Sequence, residues 1–186
     1  MRAGLLNHRL TFRKRSGTSW ALLKTVWGQI KPPETARNAQ QTELRAAYVD
    51  TVRLRYDKSI NPGQLMVWGD RWYYVEAVTE VNTRFAEMIL SCREFIGFSG
   101  TYTLIAGGSF SCISFPVQQN VWLGGDTTLN QRQYFVDVLI PQIGTSYGNH
   151  KDTVTFNSLV YTVISSTNAG DDNVVVRLLC ESPVAE

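Results

Sequence analysis

Residues 56–78 read YDKSINPGQLMVWGDRWYYVEAV and contain the clearest structural signal in the sequence. The turn at 61–63 combines a proline, which fixes one backbone dihedral, with a glycine, which accepts a positive φ. A second turn at 69–70 separates segments rich in aromatic and β-branched residues, which favour strands. The stretch therefore predicts two β-strands joined by turns, with part of Trp72 or Tyr74 facing outward. The small core of this region is predicted to contain Trp68, Trp72 and Tyr73.

Alternating apolar and polar positions extend the β prediction to the rest of the chain. Leu10 and Phe12 share one strand face, and Val52 and Leu54 share another. Such alternation is typical of half-buried antiparallel strands. After residue 97, Val, Tyr, Phe and Thr are abundant and helix signals are missing. The whole chain is therefore predicted to be mainly β.

The segment 32–48, PPETARNAQQTELRAAY, differs from these strands. Its composition favours a short helix, but its apolar positions are mostly small alanines. A helix with so weak an apolar stripe is not held by a core of its own. The segment is either a loop or an element that packs on another molecule.

Charge divides the chain into two halves. Residues 1–96 hold 15 Lys and Arg against 9 Asp and Glu, a net charge of +6, whereas residues 97–186 hold 3 against 7, a net charge of −4. The glycine- and serine-rich stretch FIGFSGTYTLIAGGSF, residues 95–110, is the predicted junction. We therefore expect one domain over 1–96 and a second all-β domain over 97–186. Both charges also lie within the range that any soluble domain tolerates.

A weak internal repeat connects the two halves. A shift of 88 positions aligns residues 64–92 with residues 152–180 without a gap. Five identities result, which include Tyr73 with Tyr161 and Cys92 with Cys180. The second half is thus either a degenerate copy of the first or an unrelated pair of hairpins with equal loop lengths.

No group of residues in the sequence resembles a catalytic or metal site. His8 and His150 lie in no spaced metal motif, and the three cysteines fall on apolar strand faces. The glycine pairs match no phosphate-binding loop, and NAGDDN at 168–173 suits a hairpin turn better than a calcium loop. No run of 18 apolar residues suggests a membrane span. The sequence predicts a protein that is not an enzyme, with no cofactor, no metal and no membrane contact.

Residues 1–96 resemble the head–tail joining family of tailed phages, also called head closure or stopper proteins. The resemblance begins with MRAGLLNHRLTFRKR and continues through KTVWGQIKP, the polar segment ETARNAQQTELRAAYVD, the stretch TVRLRYDKSINPGQLMVWGDRWYYVEAV and the closing AEMILSCRE. The order of the motif residues makes the match specific, whereas residues 97–186 carry no family motif. The motif residues are Arg55, Tyr56, Asp57, Pro62, Gly63, Trp68, Gly69, Arg71, Tyr73, Val75 and Cys92.

The resemblance implies a small β-barrel or sandwich with one short helix or long loop. It also implies a ring of six subunits at the virion neck, between the portal adaptor and the tail, assembled in the cytoplasm of the bacterial host. Such a ring retains packaged double-stranded DNA and presents a docking surface to the tail terminator and other tail proteins. In the family, the excursion between the second and third strands reaches other subunits or the channel. Its residues here are Thr35, Arg37, Gln40, Gln41, Glu43, Arg45 and Tyr48.

Two other functions compete with the stopper prediction. The first is another neck or tail component, either an adaptor, which would be more helical, or a tail terminator. The second is a nucleic-acid-binding β-barrel, because HRLTFRKR and residues 53–55 place cations and aromatic rings on strands. Those cations form no continuous stripe, and a solvated strand face explains them better.

Overall fold

A computed structural model describes residues 6–16, 19–31, 49–81, 86–117, 134–139, 149–168, 174–181 and 184–185. All regular structure in these ranges is β-strand, which confirms the mainly β prediction. The predicted helix or loop at 32–48, with all seven residues proposed to reach neighbours or the channel, lies outside the described residues. The strands are β1 (His8–Ser16), β2 (Ser19–Lys31), β3 (Asp50–Arg55), β4 (Leu65–Trp68), β5 (Arg71–Glu80), β6 (Glu87–Phe95), β7 (Phe98–Thr103), β8 (Ser109–Val117), β9 (Tyr134–Leu139), β10 (Thr153–Phe156), β11 (Leu159–Asn168), β12 (Val175–Cys180) and β13 (Val184–Ala185).

The described strands fall into two compact units, the first ending at Phe95 and the second beginning at Ile96. In the first unit, six antiparallel strands close into a barrel in the order β1-β2-β3-β6-β5-β4. Closure leaves the sheet with no free edge strand, which removes a common route to aggregation. We call this unit the first barrel.

Alternation along each strand fills the first barrel. Leu10 and Phe12 are fully buried, and so are Val52 and Leu54 on β3. Each such side chain contributes roughly 1.5–3 kcal/mol when it leaves water. Gly28 lies where β1 and β2 pack closely, and a Cβ there would lie 2.4 Å from the Leu10 Cδ1 atom, so a larger residue would require the Leu10 side chain to move.

The aromatic residues of the stretch 56–78 are divided between the two faces of the strands. Tyr73 is fully buried in the core, and Trp68 is partly buried against it. Trp72 is not a core residue, which corrects the prediction from sequence. It lies half-buried on the opposite strand face from Tyr73, with the Arg13 guanidinium 5.5 Å from its ring centroid. Strand alternation decides this, because neighbouring residues point to opposite faces.

In the second unit, seven strands follow the order β10-β7-β8-β9-β12-β11-β13. A further pairing joins β10 to β11, so the first six of these strands also form a closed cycle. The boundary between the two units, at 95/96, lies at the start of the glycine-rich stretch 95–110 that the sequence predicts as the junction, and the rest of the stretch belongs to the second unit. The stretch contains β7 and the turn of the β7–β8 hairpin, where Gly107 and Gly108 adopt positive φ. A glycine-rich composition is found both at junctions between domains and in hairpin turns, and only the strand pairing shows which of the two is present.

The pairing of β10, β11 and β12 in the second unit repeats that of β4, β5 and β6 in the first at an offset of 88 residues. Met66 opposite Tyr73 in β4–β5 corresponds to Val154 opposite Tyr161 in β10–β11. The bounds of β10 and β11 equal those of β4 and β5 after the same shift. One register irregularity is also shared, at Val75/Ala77 in the first unit and at Val163/Ser165 in the second.

The loop before each hairpin is also held in the same way. The Gly63 N–H donates to the Val75 carbonyl at 2.9 Å, and the Lys151 N–H donates to the Val163 carbonyl at 2.8 Å. Gly63 has a φ of 84° and Lys151 a φ of 72°. Positive φ is uncommon for a residue with a Cβ, so the backbone conformation is shared although the side chain differs.

Candidate interaction surface

The first group of family-motif residues forms the corner, which we define as residues 55–64 between β3 and β4. The Asp57 carboxylate accepts hydrogen bonds from the Ser59 N–H at 3.0 Å and the Ser59 hydroxyl at 2.6 Å. It also forms an ion pair with Lys24 of β2. The Ile60 N–H donates to the Asp57 carbonyl at 3.1 Å. Asp57 therefore ties the corner to the neighbouring strand.

These contacts set the charge of Asp57. Partial burial would raise the pKa of this carboxyl, but hydrogen bonds from Lys24 and Ser59 outweigh it and hold the pKa at about 2. Asp57 is therefore ionised over the whole physiological range. It presents a neutralised ion pair at the corner and does not act as an acid or base.

The second half of the corner is joined to β5 by backbone bonds. The Gly63 N–H donates to the Val75 carbonyl, and the Val75 N–H donates to the Gln64 carbonyl, both at 2.9 Å. Pro62 precedes the left-handed Gly63, as the turn chemistry of the sequence predicts. Gly69, with a φ of 57°, begins the two-residue turn between β4 and β5. The motif glycines thus serve backbone geometry.

A second group of motif residues lies at one end of the first barrel. The Arg71 guanidinium donates to Glu94 through Nε at 2.5 Å and also through Nη2. The Arg71 guanidinium carbon lies 5.3 Å from the Trp68 ring centroid and 5.4 Å from that of Tyr73. Its bond with Glu94 raises the pKa of Arg71 above the ordinary value. The arginine is thus fixed by a forked ion pair and two aromatic faces.

Asp50 lies beside this pair and was not singled out from the sequence. Its side chain is buried directly opposite Cys92, and neither carboxylate oxygen accepts a hydrogen bond from the described residues. Burial, followed by the charge of Glu94, raises its pKa to about 6, although Arg71 opposes the shift. Asp50 shares a strand face with the core residues Val52 and Leu54, so alternation does predict its burial.

The cysteines are inert core thiols in this arrangement. Cys92, Cys112 and Cys180 are all buried and unpaired, and burial raises the pKa of each thiol, that of Cys180 to about 12. Within the described ranges, no group of three or more His, Cys, Asp or Glu residues could hold a metal ion. The described part of the chain also contains no helix long and apolar enough to span a bilayer.

A groove beside the corner is the candidate interaction surface. It encloses about 460 Å³, and the described residues that line it come from β2, the corner and the segment before β1. Trp27 is its most unusual member, with 58% of its side chain exposed. Arg9 lies directly opposite Trp27 on β1. The lining residues, called the Trp27 groove below, are Leu6, Val26, Trp27, Arg55, Tyr56 and Asp57.

Sequence reasoning identified three of these residues by family motif and missed the groove itself. Arg55, Tyr56 and Asp57 were expected as structural residues. The signal for Trp27 was available in KTVWGQIK, because Val26 and Ile30 pack toward the core and alternation turns Trp27 outward. The groove needs the corner and β2 together, and only the folded barrel brings them into contact.

The family model of the phage head completion protein matches residues 1–94. The chain belongs to the phage head completion protein family. The match spans the first barrel up to Glu94 and includes every motif residue named above, which confirms the resemblance found in the sequence. No curated protein matches this head completion protein. Membership assigns it a structural role in the phage virion, in contact with other phage head or tail proteins.

Proposed function

We propose that this head completion protein closes the filled head from the neck. Six subunits form a ring between the portal-adaptor complex and the tail, retain the packaged double-stranded DNA and present a docking surface to tail proteins. The observation that carries the proposal is the family match over the first barrel. This barrel is a closed sheet with an exposed groove on its surface. Assembly takes place in the bacterial cytoplasm.

This function requires no bond-making, and the proposal assigns no catalytic residue, cofactor or metal. A ring repeats each contact by symmetry, so modest interfaces add to a firm seal. The corner supports this role because Lys24, Asp57 and Val75 hold it in one conformation before assembly. A preformed surface loses little conformational freedom when it docks.

We also propose that the segment between β2 and β3 contacts neighbouring subunits or the DNA channel. Arg37 and Arg45 carry charges that suit acidic partners or phosphate. Deletion of residues 35–48 is expected to leave the first barrel folded, as measured by circular dichroism and thermal unfolding, and to abolish ring assembly. Normal assembly by the deletion protein would contradict this role.

The second unit is proposed to be a duplicated head-completion barrel. The support is the shared register, the shared irregularity and the shared positive φ at an offset of 88 residues. Equal loop length alone would fix the hairpin but not the irregularity four residues into β5 and β11. Duplication explains why a chain with one family match contains two closed sets of strands.

Electron microscopy of lysates from a phage with a null mutation in this gene tests the main function. We expect separate tails beside heads that packaged DNA and then lost it. Joined particles with normal DNA content would overturn the stopper role. Binding of the purified protein to short single-stranded oligonucleotides, measured against salt concentration, tests the nucleic-acid alternative, for which steep salt dependence is expected.

A further inference from the structure

The Trp27 groove has the composition of an interaction site for an apolar side chain. Leu6 and Val26 supply apolar walls, and the largely exposed Trp27 ring forms one side. Arg9 and Arg55 are exposed beside it, and no described carboxylate pairs with either. Tryptophan and arginine are the residue types most enriched at interface centres. The groove therefore suits an apolar anchor from a molecule of negative charge.

The second unit contains an exposed apolar side chain of matching kind. Ile105, at the turn of the β7–β8 hairpin, is 60% exposed. Its N–H donates to the buried Asp152 carboxylate at 2.9 Å, and the Leu104 N–H donates to the Gly108 carbonyl at 3.0 Å. Residues 98–117 contain no charged side chain, although charges commonly keep exposed hairpins from associating. Ile105 is thus an exposed apolar side chain on a turn that these hydrogen bonds hold in place.

We propose that Ile105 of one copy docks in the Trp27 groove of a second copy. The opposite charges of the halves support a second copy as the occupant, since residues 1–96 carry +6 and residues 97–186 carry −4. A contact between two different patches is heterologous, and such a contact generates a ring when the rotation between successive copies closes. The inference rests on the proposed ring and identifies the surfaces that build it.

Site-directed disulfide formation tests the contact directly. The native cysteines are 0–4% exposed, so cysteines introduced at surface positions should react alone. Full-length Trp27→Cys and Ile105→Cys proteins are mixed, oxidised and separated on a non-reducing gel. We expect a covalent dimer of the two variants. Leu22→Cys mixed with Ile105→Cys is the matched control, because Leu22 is 64% exposed on the same strand as Trp27 but outside the groove.

Two results would overturn the contact. One is a dimer yield no higher than that of the Leu22→Cys control. The other is an internal disulfide in the Trp27→Cys/Ile105→Cys double variant at high dilution, with no covalent dimer in the mixture. That result would place Ile105 in the groove of its own chain.

Sedimentation velocity separates failure of this contact from failure of the ring. We expect wild-type protein to self-associate with rising concentration and Ile105→Ser to associate at least tenfold more weakly, which corresponds to about 1.4 kcal/mol. Association of Ile105→Ser equal to wild type would overturn the contact but leave the ring intact. A wild-type protein that stays monomeric at all concentrations would contradict both.

Discussion

Three strands of each unit, β4–β6 in the first barrel and β10–β12 in the second unit, have the same register but different chemistry at corresponding positions. In the first barrel, Cys92 lies opposite the buried Asp50, and Arg71 bonds to Glu94 nearby. In the second unit, Cys180 lies opposite Tyr134, and the position equivalent to Arg71 at the offset of 88 residues is Leu159. One backbone arrangement therefore accepts either a charged cluster or an apolar one. Register is set by backbone pairing and by the inward face, whereas side chains at the end of a barrel are free to differ.

The buried carboxylates show the same contrast. Asp152 in the second unit accepts hydrogen bonds from the Tyr102 hydroxyl at 2.7 Å and from the N–H groups of Ile105 and Asn149 at 2.9 and 3.0 Å. Asp50 in the first barrel accepts none from the described residues. Burial of a charge costs little where donors replace water and much where they do not. The two units should therefore respond differently to the same substitutions.

The largest loss of stability is expected when Arg71 is replaced by the leucine that the second unit has at this position. Arg71→Leu leaves Glu94 buried without its cation, next to Asp50. We expect a loss of about 3 kcal/mol in the free energy of unfolding, less than the full cost of breaking a buried pair because Arg71 is partly exposed. Urea unfolding at pH 7 measures it. Arg93→Leu is the control, since Arg93 and its partner Glu76 are both partly exposed and about 1 kcal/mol or less is expected. Equal losses would contradict the role of burial.

Asp152→Asn should cost the second unit about 2 kcal/mol. The Ile105 N–H bonds to one carboxylate oxygen, and the Tyr102 hydroxyl and Asn149 N–H bond to the other. Because asparagine has one accepting oxygen and an NH2 group that donates, at least one of these donors loses its acceptor. The unfolding free energy at pH 7 gives the measurement. Tyr102→Phe removes one of the three bonds and should account for about 1 kcal/mol of the loss. An unchanged stability in both variants would show that these bonds do not hold the turn of Ile105.

Asp50→Asn should act in the opposite direction and depend on pH. The pKa of Asp50 is raised to about 6 in the fold from 3.8, so its neutral form is favoured by folding. The contribution of protonated Asp50 to the free energy of unfolding is fully present below about pH 4 and is lost as the pH rises through 6. At pH 8 the variant should be more stable than wild type by up to about 3 kcal/mol. The gain should vanish at pH 4, as thermal unfolding across this range would reveal. A gain independent of pH would indicate packing and not charge.

The smallest effects are expected at the paired left-handed positions. Lys151→Gly should stabilise the second unit by about 0.5–1 kcal/mol, because glycine adopts the φ of 72° without a Cβ clash. Gly63→Ala should destabilise the first barrel by about 1 kcal/mol for the same reason. Unfolding curves of the two variants give both values. The two changes in unfolding free energy should have opposite signs. Changes of the same sign would show that the two loops do not share a conformation.

Much of the first barrel could be predicted from local sequence. The turns at 61–63 and 69–70 and the alternation around Leu10, Val52 and Leu54 identify strands without reference to the rest of the chain. The placement of Trp72 in the core was wrong, because Trp72 is half-buried on the face opposite Tyr73. Composition favours an aromatic residue in the core, but alternation along β5 decides which face each ring occupies.

By itself, the sequence determined the β class, the turns, the family and the charge difference between the halves. Each of these depends on neighbouring residues or on composition. Only the tertiary structure decided the closure of the barrel, the burial of Asp50 without a hydrogen-bond donor among the described residues, and the exposed groove around Trp27. The physical reason is distance along the chain. Alternation predicts that Asp50 is buried and that Trp27 faces outward, but the charges around Asp50 come from β5 and β6, and the Trp27 groove joins β2 to the corner, so both environments depend on contacts between distant residues.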